Sequence, residues 1–198
     1  MNKLVAWEKL HNAAKWLSTP SGDFEAFMAA NYWGESGLVF LDLGCATGGS
    51  TIFLAEKGFK VIAVDASESA CTRLADNLTN KDLVQVVNAD VTKLALKSRS
   101  IDCVIAANIF DCLEIEEAQA LFKASSGWLK VGGRLFARIL IEEPAPFARP
   151  ELKLKYYSMD EVIKAMGGNF YGSIIPVTRY VGSNIPVHNW VIDVVNGK

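Results

Sequence analysis

Leu4, Trp7, Leu10, Ala14 and Leu17 recur at intervals of three and four, which predicts one apolar stripe on a helix ending near Thr19-Pro20. A second short helix follows, with Phe24, Phe27 and Met28 on its stripe, and runs on to Tyr32 and Trp33 before Gly34 and Gly37 break the chain. From there the pattern alternates between strand and helix. Residues 39–43 are a continuous apolar run of strand length, residues 48–56 a helix stopped by Gly58, and residues 60–64 a strand ending at Asp65. Ser67 is placed to cap a helix whose buried face holds Ala70, Cys71, Leu74 and Leu78. Strands are predicted over 84–88 and 101–106, a helix over 116–129, and a strand over 134–141 after the Gly132-Gly133 turn. A loop broken by Pro144, Pro146 and Pro150 comes next, too long and irregular for a simple connection. Ser158-Met159-Asp160-Glu161 then has the spacing of a capping box, so a short helix should run to Gly167-Gly168. Two last strands, over 171–181 and 189–195, are joined by a turn around Asn184 and Pro186.

This order predicts an α/β fold: a doubly wound, mostly parallel seven-stranded sheet with helices on both faces, preceded by N-terminal helices. Two consecutive strands without a helix between them must pair antiparallel, so the last strand of the sheet is reversed. A chain of 198 residues suits one domain with a full core. Twenty basic against 22 acidic residues, a formal net charge of -2, provide no basic field for a nucleic acid. Hydrophobic residues make up 51%, yet no apolar run approaches the ~18 residues of a membrane span, and the first residues lack the apolar core of a signal peptide. The expected location is the cytoplasm. Cys45, Cys71, Cys103 and Cys112 fall singly and show no metal-binding spacing; they read as reduced, small hydrophobic residues, and no metal is expected.

The chemistry concentrates where the first strand meets its helix, at Val39-Phe40-Leu41-Asp42-Leu43-Gly44-Cys45-Ala46-Thr47-Gly48. Glycines let the backbone turn sharply and approach a ligand, while free N–H groups at the helix start face it. Asp42 adds a carboxylate where dinucleotide turns carry an apolar residue, which suits a cationic or hydroxyl-bearing end better than a pyrophosphate. Asp65 ends the second strand and Asp90 follows the third, so both face the crevice at the carboxyl ends of the strands. Asp65 is placed to accept both hydroxyls of a ribose, and Asp90, with Val91 beside it, an exocyclic amine such as that of adenine.

With these residues the chain resembles the class I S-adenosylmethionine-dependent methyltransferases over roughly residues 36–198, the reversed last strand included. The resemblance implies that Gly44, Cys45 and Ala46 wrap the methionine part of the cofactor, that Asp65 holds the ribose and that Asp90 and Val91 hold the adenine. The stretch 101–108, Ile-Asp-Cys-Val-Ile-Ala-Ala-Asn, is similar to the family's fourth-strand motif, whose end at Asn108 lies beside the transferred methyl; residues 129–135 match the turn before its fifth strand. Asp42, Gly48 and Ala66 complete the expected cofactor residues. Ala46 stands where the family usually has a glycine, and Asn108-Ile109-Phe110-Asp111 lacks the signature of nucleobase-amine methylation. By the same resemblance residues 1–35 form a helical lid and residues 36–198 the Rossmann-like core of a single domain.

Further side chains compete with simpler roles. Tyr32 and Trp33 adjoin the first strand and are candidate substrate contacts, whereas Trp7 and Trp16 read as helix packing. His11 reads as structural and His188 as a turn residue. Asp111 and Glu114 are near the expected substrate opening and could accept a proton, although acids at a helix start explain them equally. Arg138, Arg149 and Lys153 around the proline loop could meet an anionic substrate. The resemblance implies methyl transfer to a small-molecule acceptor by in-line displacement, with alignment and exclusion of water as the protein's main contribution and no base named. A non-catalytic binding module and, after it, an NAD-dependent oxidoreductase using Gly44-x-Ala46-x-x-Gly49 are the alternatives.

Overall fold

The computed structural model describes residues 3–13, 19–142, 150–181 and 185–198. Seven strands make one sheet: β1 (Val39–Leu43), β2 (Lys60–Asp65), β3 (Val84–Asn88), β4 (Ile101–Ala107), β5 (Leu129–Leu140), β6 (Phe170–Val181) and β7 (Ile185–Asn196). Their spatial order is β3-β2-β1-β4-β5-β7-β6. The first five are parallel, and β7 runs antiparallel to both β5 and β6, inserted between them. The order reverses between β1 and β4, so the crevice outside their carboxyl ends is the topological switch point where open α/β sheets bind ligands.

The helices are α1 (Lys3–Ala13), α2 (Gly22–Tyr32), α3 (Gly49–Glu56), α4 (Glu68–Asn77), α5 (Ile115–Trp128) and α6 (Met159–Met166). On one face Phe122, Trp128 and Val162 of α5 and α6 pack with Leu41, Val104 and Leu135 of the sheet. On the other, Phe24 and Phe27 of α2 and Leu54 of α3 pack with Phe40, Ile105 and Phe136. The central strands are thus covered on both sides, which is why they read as unbroken apolar runs.

Several boundaries follow side-chain chemistry. Ser67 accepts from the Ala70 N–H at the start of α4, and Ser158 and Glu161 form the predicted capping box of α6. A second capping box, Glu114 with Glu117, starts α5 at Ile115. The predicted helix over 116–129 stops at Trp128, because Leu129 already pairs with Ile101 in the sheet. The register slips between there and Cys103–Arg134, with Gly132 at φ 77° between.

The N-terminal helices differ from expectation. In α1 the buried residues are Ala6 and His11, while Leu4 of the predicted stripe is exposed and Trp7 and Leu10 are half-buried. Ala14, Trp16 and Leu17 lie outside the described residues. The physical reason is that α1 rests on the start of α4 rather than on an apolar sheet face, as the contacts below show. The α2 helix is core: Phe24 and Phe27 pack on Phe136 as tilted ring pairs with centroids 5.4 and 4.9 Å away. Arg149, Pro144, Pro146 and Asn184 also fall outside the described residues.

Asp42 has a structural role. It is 3% exposed, and its Oδ2 accepts from the Thr51 hydroxyl at 2.7 Å, tying β1 to the first turn of α3. Burial raises its carboxyl from an ordinary 3.8 to about 6, against the opposing effect of Thr51. A raised folded value means that its contribution to stability is fully present below about pH 4 and is lost as pH rises through 6. That displacement corresponds to roughly 3 kcal/mol at most. Asp42→Asn removes the ionisation while keeping an acceptor for Thr51. Denaturant unfolding of both proteins should therefore show the variant gaining on the parent by about 1–3 kcal/mol between pH 4 and pH 7.

Candidate functional site

Gly44, at φ 69°, turns the chain out of β1, and a Cβ there would stand 2.9 Å from Ile109 Cδ1. The Gly44 and Cys45 N–H groups donate to the Val64 carbonyl at 2.8 and 3.0 Å, fastening the turn to β2. Ala46 follows at φ 49°, a left-handed conformation that costs an alanine roughly 1–2 kcal/mol. Its N–H donates to Asp65 Oδ2 at 2.9 Å, while Asp65 Oδ1 accepts from the Ser67 N–H at 2.8 Å. One carboxylate thus holds the β1 turn and the start of α4 in fixed relation, and its remaining lone pairs stay open to a ligand.

Gly44, Ala46, Asp65 and Ala66 form one wall of a cavity of about 610 Å³, within the roughly 300–1,000 Å³ typical of small-molecule sites. Asp90, Val91 and Thr92 line it beyond β3. Asp90 caps the short 3-10 turn over Val91–Lys93, accepting from the Thr92 N–H at 3.0 Å and the Thr92 hydroxyl at 2.7 Å. A carboxylate oxygen accepts more than one bond, so capping and ligand binding are compatible. Ala107, Asn108 and Ile109 close the β4 side.

Asn108 sits at φ 62° in the middle of a polar cluster. Its Nδ2 donates to Asp111 Oδ2 at 2.8 Å, and its Oδ1 accepts from Arg138 Nε at 2.8 Å. Asp111 Oδ1 in turn accepts from the Leu140 N–H at 2.7 Å. Asp111 is buried, with its carboxyl raised to about 6 by that burial against the pull of Asn108 and Leu140. Arg138 reaches Ser21 Oγ at 2.6 Å and Asp23 Oδ1 at 3.2 Å, joining β5 to the start of α2.

The roof is α1, through Lys3, Leu4, Trp7 and His11. Lys3 Nζ donates to the Cys112 carbonyl at 2.7 Å, and Arg73 Nη1 to the His11 carbonyl at 2.7 Å. Glu8 accepts from the Glu68 N–H at 2.6 Å and from the Ser69 hydroxyl, at the positive end of α4. His11 Nδ1 pairs with Ser67 Oγ at 2.9 Å. Burial holds the imidazole below its ordinary value despite the raising effect of Asp65 and Glu8. Polar contacts therefore seat this helix, which explains why its apolar periodicity misled.

The cavity brings together Gly44, Ala46, Asp65, Ala66, Asp90, Val91 and Asn108 of the residues expected around the cofactor. Asp42 is buried behind the turn, Cys45 is buried with its thiol against Cys71, and Gly48 is glycine because a Cβ at φ 100° would collide with Leu74. Neither candidate substrate aromatic lines it. Tyr32 packs on Phe40 with centroids 5.1 Å apart and lies against Cys103, near the opposite ends of the strands, and Trp33 is 87% exposed. Asp111 is an interior acceptor rather than a solvated acid, and Glu114 pairs with Lys155 at 2.8 Å. His188 meets Thr178 at 2.9 Å on the β6–β7 pair, and Lys153 is exposed at φ 49°. Sequence reasoning missed Trp7 and His11 as roof residues; no motif marks them. A second cleft, about 710 Å³, lies between α5, α6 and the end of β7, and is lined by Arg99, Lys123, Lys164 and Lys198, away from Asp65.

Residues 40–133 match the methyltransferase-domain family, and the whole chain superposes on methyltransferase structures. One is an N-methyltransferase from Bradyrhizobium japonicum WM9 in complex with S-adenosyl-L-homocysteine, at a TM-score of 0.76, 14% identity and full coverage of both chains. The fold is that of the class I S-adenosylmethionine-dependent methyltransferases, and just under half of the chain matches their domain family. Among curated methyltransferases it is 37% identical over 114 residues to a cypemycin N-terminal methyltransferase of Streptomyces, covering 57% of this chain and 45% of that one. It is also 30% identical to phosphoethanolamine N-methyltransferase 1 of Zea mays, over 56% of this chain and 22% of that one. The chain thus spans less than half the length of these two methyltransferases. The magnesium protoporphyrin IX methyltransferase of Synechocystis with bound S-adenosylmethionine shares the methyltransferase fold at a TM-score of 0.66 and 20% identity, covering 97% of this chain and 80% of that one.

Ala46 stands where the resemblance puts a glycine, and its φ of 49° is a conformation that favours glycine. Ala46→Gly should raise stability by about 0.5–1 kcal/mol, the left-handed strain being partly offset by added freedom in the unfolded chain. Chemical denaturation measures it, and a loss of stability would show that the Ala46 methyl contributes packing that outweighs the strain.

Proposed function

We propose that this chain is a methyltransferase that transfers a methyl group from S-adenosylmethionine to a small-molecule acceptor. The observation that carries this reading is the cavity at the switch point, where Gly44, Asp65 and Asp90 stand along one wall in the order expected for methionine, ribose and adenine. The residues fit such a group: Gly44 keeps the floor free of a Cβ, and Asp65 and Asp90 offer acceptors to hydroxyls and an amine. The names of the matched relatives, an N-terminal methyltransferase and a phosphoethanolamine methyltransferase, support methyl transfer and leave the acceptor open.

S-adenosylmethionine supplies a methyl already activated by a sulfonium. What falls to the chain is orientation and exclusion of water. Asn108, locked between Arg138 and Asp111, fixes the end of β4 beside which the acceptor would stand. Asp111 has both oxygens engaged, so its role is to hold Asn108 rather than to take a proton. The lid expected of residues 1–35 narrows to α1, since α2 belongs to the core. A helix seated by hydrogen bonds to α4 can lift without exposing a large apolar surface.

Calorimetry should show binding of S-adenosylmethionine and S-adenosylhomocysteine in the micromolar range, and no heat with an intact fold would refute the reading. Asp65→Ala should weaken either ligand by more than about tenfold while circular dichroism stays native, because it removes a charged acceptor from the ligand wall. Release of S-adenosylhomocysteine with any member of an acceptor panel separates an enzyme from a module that only binds.

A further inference from the structure

The Asn108 cluster continues away from the cofactor cavity into a second group of side chains that methyl activation does not use. Cross-strand register puts Arg138 opposite Val191, Leu140 opposite Asn189, Asn189 opposite Val177, and Val187 opposite Arg179. Directly paired residues share a face, and alternate residues along a strand return to it. Arg138, Asn189 and Arg179 therefore lie on one face of β5, β7 and β6. It is the face that carries α2, at the end of β5 where Asn108 stands.

The three side chains are unequally occupied. Arg138 is satisfied by Asn108, Ser21 and Asp23. Arg179 makes one described hydrogen bond, from its Nε to Asn189 Oδ1 at 3.1 Å. The outer fork of its guanidinium has no acceptor among the described residues, although the side chain is partly buried. Asn189 is fully buried, and its Nδ2 has no hydrogen-bond partner among the described residues. Leaving such a donor unpaired costs on the order of the desolvation of an amide. Burial and then the neighbouring Arg138 charge lower the Arg179 value to about 10, against the raising effect of Asp23 and Asp111, so the guanidinium stays charged. Asp23 and Asp111 are close enough to act on Arg179 by charge, but Asp23 is bonded to Arg138, and Asp111 to Asn108 and the Leu140 N–H. A planar two-pronged donor and an adjacent orphaned amide are left without an acceptor among the described residues.

We propose that Arg179 and Asn189 form the subsite for a carboxylate group on the methyl acceptor, so that the substrate class is a small carboxylic acid. Two parallel N–H groups of a guanidinium match the two oxygens of a carboxylate, and the Asn189 amide can supply a third donor. With Asp23 and Asp111 close by, the group has no surplus of positive charge for the dianion of a phosphate monoester, whereas a monoanionic carboxylate needs only the one guanidinium fork. Asn189 also acts as a positioning residue, because its Oδ1 accepts from Arg179 Nε and so fixes the guanidinium plane. Arg138, one of the cations that the sequence offers for an anionic substrate, is committed to Asp23, whereas the outer fork of Arg179 is not taken up by any described residue.

This inference rests on the methyl-transfer reading, and its test separates the two. Titration of the protein with S-adenosylhomocysteine comes first; no binding there overturns the cofactor reading alone. Benzoate, benzamide and inorganic phosphate are then titrated by ligand-observed NMR, with and without saturating S-adenosylhomocysteine. Benzoate should saturate, and benzamide and phosphate should bind roughly tenfold more weakly or not at all. Arg179→Met should weaken benzoate about tenfold or more, with Arg179→Lys intermediate, and with S-adenosylhomocysteine affinity unchanged in both. Asn189→Asp, which supplies Arg179 with an internal carboxylate, should abolish benzoate binding by a different route and covers the case of a misfolded Arg179→Met. Arg99→Gln in the distant basic cleft should leave benzoate unaffected. Wild-type benzoate affinity in both Arg179→Met and Asn189→Asp, benzamide equal to benzoate, or phosphate preferred over benzoate would each overturn the assignment.

Discussion

The candidate site depends on a single carboxylate. Asp65 accepts from Ala46 on one side and from Ser67 on the other, so the turn after β1 and the turn after β2 cannot move independently. Ser67 then caps α4 and pairs with His11, carrying the same linkage into α1. Floor, wall and roof of the cavity are therefore three consequences of where one aspartate ends β2. An Asp at that point also keeps acceptor capacity for a ligand, which backbone groups in the same position would not.

A second polar cluster fixes the other half. Asn108, Asp111 and Arg138 link the end of β4 to β5, and Arg138 reaches across to Ser21 and Asp23 at the start of α2. Such a network is expensive to desolvate, and replacing it with apolar side chains would not destabilise the fold on general grounds. Its placement is at the strand ends, where the shape of a site has to be held, rather than in the core, where Phe24, Phe40, Phe136 and their neighbours supply the burial. Burial raises the Asp42 and Asp111 carboxyls alike, so both anchors of the sheet's carboxyl end weaken the fold somewhat as they ionise.

Most of this fold is legible in the sequence because strands covered on both faces must read as apolar runs, and because Ser67, Gly48 and Ser158 mark helix starts by local chemistry. Asp65 and Asp90 are legible for a related reason: in a parallel sheet, a carboxylate just past a strand has one place to go. What the sequence hides is chosen by contacts distant along the chain. Glu8 seats α1 through Ser69, 61 residues away, and the His11 partner Ser67 is 56 residues away, so neither shows in the local periodicity of the helix. Tyr32 and Trp33 mislead for the converse reason. They adjoin β1 in sequence but lie at its amino end, one packed on Phe40 and the other exposed, while the site is at its carboxyl end. Arg179 escapes notice because nothing local distinguishes a cation on an edge strand; only the register with β7 puts it beside Asn189.

Backbone strain follows the same division. Four described residues other than glycine adopt positive φ: Ala46, Arg99, Asn108 and Lys153. Arg99 and Lys153 are in surface turns, the Arg99 N–H donating to the Gly127 carbonyl and the Lys153 N–H to the Pro150 carbonyl. Ala46 and Asn108 both line the cavity, and each is held by a carboxylate, Asp65 for Ala46 and Asp111 for Asn108. An Asn tolerates the left-handed region because its side chain can bond locally, whereas Ala has no such compensation and depends on Asp65. The two strained residues face each other across the switch point, at the positions where the resemblance puts the methionine end of the cofactor and the transferred methyl. Strain stored there is maintained by the carboxylates that order the site, so the geometry needed for binding is set before a ligand arrives.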